Sequence, residues 1–526
     1  MEAPELSATW TFDPSHYPEP MTPLSADVWF AAMGEGIRSA ARELRAPFGG
    51  FETMTWGSGW AYEHEVEPDW EPDAERMRAA ALSVAELWES QYRPRAEALT
   101  AELLRMRPER PAPGGAVALL DRLRELTREQ WRIHFLTVIP VHLAREVVHD
   151  AYVERFGKRD ELEPYRLIEG LPNETLAADE QLWRIAELAR DLDVADVVLE
   201  LPAQAALTRL EETAHGRLVL LELARYLARY GGRSRLHELS EPRVAERPEL
   251  ALQTVRLFLE RPRDLPAERA ARAAEREQLE AATLARIDDP EERAAFAGLL
   301  ARCVAAVPLE ESHAYVIDYP GLAAVREVLL GYGRRLAAEG RLDAADDVFM
   351  LHWNELREAV ADSWGAPLQE LAATRREELE AARRASPPPY LGPPPPAHAD
   401  VPPAVAKFYG VPGSARREGD VLHGTGASSG RAVGPARIVR TSGDFERVRP
   451  GDVLVCTTTT PAWTPLFGSV VGLVADTGGI LSHAAVVARE YSIPAVVGAE
   501  LATATIPDGA RVAVDGDAGT ATILGD

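Results

Sequence analysis

The stretch "DTGGILSHAAVVAREYSIPAVVG", Asp476 to Gly498, puts a histidine where a glycine-rich turn runs into a helix. Ser482 is a good N-cap, so His483 falls in the first helical turn. Free backbone N–H groups and the positive end of the helix dipole favour an anion there. Thr477, Gly478 and Gly479 form a turn through which backbone can approach a ligand closely. A histidine so placed can attack phosphorus through a ring nitrogen, and the same helix end would stabilise the phosphohistidine formed. The plainer alternative is a capping or buried histidine without chemistry, and spacing does not choose between them. Arg489 lies six residues further, about 240° net around the helix. It does not project beside His483 and reads as a surface or packing residue.

The elements that must position this histidine form a short, Val-rich C-terminal region. "DVLVCTTT", "VVGLVAD", "PAVVG" and "RVAVDGDAGTATIL" read as strands broken by glycine, with one evident helix beginning near Ser482. Residues 1 to about 385 read as helices. "DDPEERAAFAGLLARCVAAV" opens with Asp289 as N-cap and Pro290 at the first helical position. "GRLVLLELARYLARYGG" stops at Gly231-Gly232. The glycine-rich "FGGFETMTWGSGWAY" is assigned to a loop between helices. Between the two regions, "SPPPYLGPPPPAHADVPPAV" blocks both helix and sheet and reads as an extended spacer. The expected fold class is α+β multidomain. It comprises a mainly helical domain (1–385), a Pro-rich linker (386–417) and a compact β/β/α domain (418–526).

Composition narrows the function classes. The 526 residues carry 57 basic and 83 acidic side chains, a net charge of −26, which disfavours nucleic-acid and anionic-membrane partners. There is no long uncharged apolar run and no basic segment leading into an apolar one, so a cytoplasmic protein is expected. Cys303 and Cys456 make neither a disulfide framework nor a metal knuckle. No residues have the spacing of a zinc site, so no metal site is expected. Only Lys158 and Lys407 are lysines.

"TGGILSHAAVVAREYSIPAVVG" resembles the signature of the phosphohistidine swivelling domain of PEP-utilising enzymes: Gly-Gly, two residues, Ser-His-Ala, then Ala-Arg and Pro-Ala-Val. "GDVLVCTTTTPAWTPLF" and "GTGASSGRAVGPARIV" also fit, so the resemblance covers about residues 420–526. It implies that His483 is the phosphorylated carrier, with Thr477, Gly478, Gly479 and Ser482 around the phosphate. The helical part is similar to the acceptor-binding domain of rifampicin phosphotransferase. The similarity rests on "YGGRSRLHELSEPRVAERPEL", "EESHAYVIDYPGLAAVREVLLGYGRRLAAEGRLDAADDVFMLHWNEL" and "HYPEPMTPLSADVW". Gly232 and Val244 depart from that pattern, where relatives often have His and Trp, which puts the acceptor's identity in doubt. Neither an ATP-grasp domain nor a pyruvate-binding barrel is recognisable. The expectation is no tightly bound cofactor, with ATP and Mg2+ supplied through a separate ATP-grasp partner chain.

A phosphoryl acceptor site needs cations for the transferring oxygens and a base for the acceptor hydroxyl. Arg233, Arg243 and Arg326 are candidates for the first task. Glu238, Glu311, His313 and Asp318 are candidates for the second. The stretches "YGGRSRLHEL" and "EESHAYVID" are expected to meet in space, with His313 or Glu311 taking the proton and Arg233 steadying the phosphoryl group. The plainer account is a set of salt bridges holding helices together. In "WRIHFLTVIPVHLAREVVHD", His134 and His142 lie about 80° apart and can share a helix face, although packing accounts for them equally well. The functional expectation is a phosphotransferase component moving a phosphoryl group from ATP through His483 to a small-molecule acceptor, with dehydration or ligation as possible fates. The alternative is a non-enzymatic phosphohistidine carrier or regulatory protein.

Overall fold

The computed structural model describes residues 6–525 apart from 15, 110–114, 158–161, 235, 261, 394–406, 408–409, 411–414, 441 and 460–462. Most of the proposed linker therefore lies outside the described residues. Its start does not: Tyr390–Leu391 (β4) pairs antiparallel with Trp10–Phe12 (β1).

The helical expectation holds for most of the first 385 residues, with local causes visible at the helix ends. Asp289 accepts from the backbone N–H groups of Glu291 and Glu292 at 2.8 and 2.9 Å, with Pro290 at the first position. The longest helix, Gly115–Phe156 (α1), contains Pro140. Proline removes one backbone bond between His134 and His142. Glu174–Asp191 (α2) is capped by Asn173, which accepts from Leu176 N. Ala214–Tyr230 (α3) is capped by Thr213 and ends at Gly231. Pro248–Glu260 (α4) and Asp318–Ala338 (α5) complete the helices needed below.

The glycine-rich stretch near residue 50 is a hairpin, not the loop expected. Phe51–Trp56 (β2) and Trp60–Glu65 (β3) pair in register from Phe51↔Glu65 to Trp56↔Trp60. Gly57, Ser58 and Gly59 all take positive φ at its tip. Aromatic and Thr residues flanking a Gly-Ser-Gly turn favour this outcome. The sheet order is β2-β3-β1-β4.

Two apolar cores hold the helices. One centres on α1 and α5, the other on α2, α3 and α4. The C-terminal unit is a nine-stranded sheet beginning at Arg416–Glu418 (β5), two residues before the expected boundary. Its other strands are Val421–His423 (β6), Thr425–Ser428 (β7), Arg431–Val439 (β8), Val453–Cys456 (β9), Gly472–Ala475 (β10), Ala495–Val497 (β11), Arg511–Asp515 (β12) and Thr520–Ile523 (β13). Their order is β5-β6-β13-β12-β8-β9-β10-β11-β7. Strands β8 to β11 are mutually parallel, which places a switch of direction beside the helix His483–Glu490 (α6). Ligands of open α/β sheets bind beyond the carboxyl ends of such strands. Both cysteines are free and buried.

Candidate phosphohistidine site and its docking face

His483 opens α6, one turn beyond the carboxyl end of β10. Ser482 is extended and its side chain accepts from Ala485 N, so the N-cap reading is correct. Gly478 has φ +101°, and a Cβ there would lie 2.7 Å from Ser482 Oγ. Glycine is therefore required for the turn to close on its own cap. Thr477 is tied to the end of β9, its N–H and hydroxyl both donating to Thr457 O at 2.9 Å.

From the same strand end, Thr459 Oγ1 lies 2.9 Å from His483 Nδ1. The other nitrogen, Nε2, is buried and has no hydrogen-bond partner among the described residues. Burial lowers the His483 pKa to about 4, against the pull of Glu310. The ring is thus neutral at pH 7, the form with a lone pair to attack phosphorus.

His483 is half-buried, and its Nε2 atom is shielded from solvent. The tip of the C-terminal unit is seated on the helical region. Ile480 and Leu481 pack into the first helical core. Leu481 N donates to Lys407 O at 2.7 Å, and Lys407 Nζ reaches Glu146 at 2.7 Å. Arg489 is not on the surface: it ion-pairs with Glu169 and donates to Ile480 O at 2.8 Å and Ala427 O at 2.9 Å. Gly170 N donates to Glu490 at 3.1 Å, and the Tyr491 hydroxyl donates to Asp179.

Glu310, in the short helix Leu309–Ser312, lies within electrostatic reach of His483. Its carboxylate accepts from Arg145 Nε at 2.8 Å and lies 3.7 Å from His142 Nε2. Burial alone would raise the Glu310 pKa, but Arg145 and His142 outweigh it and hold the group ionised. Arg145 is itself buried. Arg145 and Glu310 are functional candidates that sequence reasoning passed over, while His142 was noted there only for sharing a helix face with His134. All three sit inside stretches already singled out, but nothing in one dimension brings them together.

The expected candidates divide. The two stretches do meet: Arg233 Nη1 donates to the Tyr315 hydroxyl at 3.3 Å, Tyr315 bonds Thr175 at 3.3 Å, and Thr175 donates to Glu311 at 2.8 Å. Burial first, then Glu310, raises the Glu311 pKa to about 7. His313 spends both ring nitrogens. Nδ1 donates to Leu309 O at 2.7 Å, and Nε2 lies 3.2 Å from His134 Nδ1 and 3.4 Å from Asp318. His134 Nδ1 donates to Asp318 at 2.8 Å.

Arg233 is caged by Tyr226 and Tyr315 and shows no contact with His483 among the described residues. It borders a cavity of about 590 Å³ between the second helical core and the C-terminal unit, whose lining includes Arg256, Phe445 and Arg449 but not His483. Glu238, Arg243 and Arg326 lie elsewhere, in structural networks. Glu238 accepts from the Thr22 and Ser25 hydroxyls at 2.7 and 2.5 Å. Arg243 and Arg326 converge on Glu246 at 2.7 and 3.1 Å, and Arg326 also donates to Leu239 O at 3.0 Å. In this structure the polar atoms of these three residues hold the loop after α3.

Comparison with known proteins matches both sides of this contact. Residues 448–519 match the mobile domain of PEP-utilising enzymes, and residues 134–311 match the fourth domain of rifampicin phosphotransferase. The C-terminal unit is thus similar to the mobile domain of PEP-utilising enzymes, and it is seated on a helical region similar to the fourth domain of rifampicin phosphotransferase. The chain is 33% identical to chondramide synthase cmdD of Chondromyces crocatus, across 98% of this chain and 14% of that one. It is 31% identical to the uncharacterized phosphotransferase YvkC of Bacillus subtilis, across 78% of this chain and 49% of that one. It is 33% identical to a rifampicin phosphotransferase of a Streptomyces species, across 63% of this chain and 39% of that one. The chain thus spans half or less of the length of these relatives. No described helix is long and apolar enough to cross a membrane.

Proposed function

We propose that this chain carries a phosphoryl group on His483 Nε2 and delivers it to a small-molecule acceptor held by the helical domain. The observation that carries the reading is His483 Nε2 itself: buried, without a hydrogen-bond partner among the described residues, and set in the first turn of α6 within the electrostatic reach of Glu310. When Nδ1–H donates to Thr459, Nε2 keeps its lone pair. In the loading step Nε2 attacks the β-phosphorus of ATP, the P–N bond forms and the bond to the α-phosphate breaks, releasing AMP; water then attacks the terminal phosphorus of the pyrophosphorylated histidine, releasing phosphate and leaving one phosphoryl group on His483. The nucleotide site and Mg2+ come from an ATP-grasp unit on a partner chain. In the discharge step the acceptor oxygen attacks phosphorus, the P–N bond breaks, and the acceptor proton passes to Glu311, held in place by Thr175. Arg145 supplies positive charge near the transferring oxygens. The net reaction is acceptor plus ATP plus water giving phosphorylated acceptor, AMP and phosphate. The phosphorylated acceptor can then be dehydrated or ligated.

A second reading is a phosphohistidine carrier that serves no small acceptor. It is favoured by the separation of the 590 Å³ cavity from His483. One experiment distinguishes the readings. The chain is loaded with labelled phosphate by an ATP-grasp partner and chased with candidate acceptors. Acid-labile, base-stable label that moves to an acceptor supports the first reading. Label that stays on the chain or returns only to the partner supports the second. Label that survives His483→Ala removes both.

A further inference from the structure

We propose that His134, His313 and Asp318 form a binding site for one divalent first-row transition-metal ion in the wall of the helical domain. His134 comes from α1, His313 follows the short helix Leu309–Ser312, and Asp318 is the first residue of α5. His134 and His313 are 179 residues apart, so no sequence spacing could have revealed the set.

The argument is geometric. With metal–ligand bonds of about 2.1 Å, donors at right angles stand about 3.0 Å apart and donors at the tetrahedral angle about 3.4 Å. Here His134 Nδ1 to Asp318 Oδ1 is 2.8 Å, His134 Nδ1 to His313 Nε2 is 3.2 Å, and His313 Nε2 to Asp318 Oδ2 is 3.4 Å. The two ring nitrogens and the Asp318 carboxylate, each imidazole facing one of its oxygens, therefore gather with one ligand atom from each residue within 4.8 Å of the others.

The outer partners fit as well. His313 Nδ1 donates to the Leu309 carbonyl, which fixes the tautomer and leaves Nε2 with its lone pair inward. A histidine that ligates a metal commonly spends its other nitrogen in this way. Trp131 and Phe135 pack on the His134 ring at centroid distances of 4.9 and 4.7 Å and fix its orientation. Two imidazoles and one carboxylate suit Zn, Fe or Mn better than Ca or Mg. Three protein ligands leave positions open for water or a ligand oxygen, and the His134 side chain is 14% exposed on that side of the protein. The assignment stands apart from the phosphoacceptor reading, because metal binding is measured without ATP or acceptor.

The test uses the full chain, stripped with a chelator and checked for folding by circular dichroism. It is titrated with Zn2+ by calorimetry and with Co2+ by visible absorption. The expected result is one ion per chain with micromolar or tighter affinity, and Co2+ bands of a low-symmetry nitrogen–oxygen site. His134→Gln and His313→Gln should each weaken binding at least 10-fold, and Asp318→Asn likewise. His149→Gln, which alters the separate cluster with Glu146 and Asp150, should leave stoichiometry and affinity unchanged. If Asp318→Asn does not fold, His134→Gln carries the test, since that side chain is partly exposed. Failure of the stripped chain to bind one equivalent overturns the proposal. So does binding undiminished in the His134→Gln, His313→Gln double variant.

Discussion

Thr459 Oγ1 stands 2.9 Å from His483 Nδ1, and the two residues lie on different segments, one after β9 and one at the start of α6. When Nδ1–H donates to the Thr459 hydroxyl, Nε2 keeps the free lone pair.

Thr459→Val should therefore leave the fold intact and slow loading of His483. One lost hydrogen bond is worth about 1 kcal/mol, or roughly 5-fold in rate. Initial rates of label incorporation check this. A change in the labelled position from Nε2 to Nδ1, read by phosphorus NMR, is the second expected sign.

Glu311→Gln should leave loading unchanged and slow discharge to acceptor by about 10²-fold or more, the usual contribution of a general base. Single-turnover measurement on pre-loaded chain separates the two steps. Equal loss in both would refute a base role.

Arg145→Met tests the docking face from the helical side. It leaves the buried Glu310 carboxylate without its main counter-charge, a change that costs about 3–5 kcal/mol. Denaturant unfolding should show this loss, and the double variant with Glu310→Gln should recover much of it.

Docking itself should depend on pH. Burial lowers the His483 pKa from an ordinary value near 6.5 to about 4 in the seated position. The seated state thus prefers the neutral ring. Above about pH 6.5 both states hold neutral His483 and docking is strongest. As pH falls from 6.5 to 4 the unseated domain takes up a proton that the seated one resists, so docking weakens; below 4 the loss is complete. Asp179 and Glu490, whose acid forms burial favours, pull the opposite way. A donor–acceptor dye pair across the contact, compared between the native chain and His483→Asn, isolates the histidine. An identical pH profile in the two proteins would contradict the assignment.

Much of this was readable from the residues. Ser482 as N-cap and Asp289-Pro290 at a helix start are local facts, and each is confirmed in place. The β2–β3 hairpin was missed because Gly-Ser-Gly was taken as a loop signal, while the flanking alternation of Thr and aromatic residues was not weighed. Arg489 was set aside by helical phase alone. Phase is right in saying that it does not flank His483, but it cannot say that another domain supplies Glu169. The Arg145–Glu310 pair, 165 residues apart, and the convergence on Asp318 depend on how α1 and α5 cross, which no short window contains.

The pairing of β4 with β1 fixes where the covalent connection between the two units begins. Only residues 392–415 lie between Leu391 and Arg416. At no more than about 3.6 Å per residue, they keep Arg416, the start of the C-terminal unit, within roughly 85 Å of that anchor, and His483 within that reach plus the breadth of the unit, whatever path they take. One histidine in such a volume has a local concentration on the order of a millimolar. Delivery is therefore a first-order event within one molecule. Dilution leaves its rate unchanged, and loaded copies of other chains do not compete until they approach that concentration.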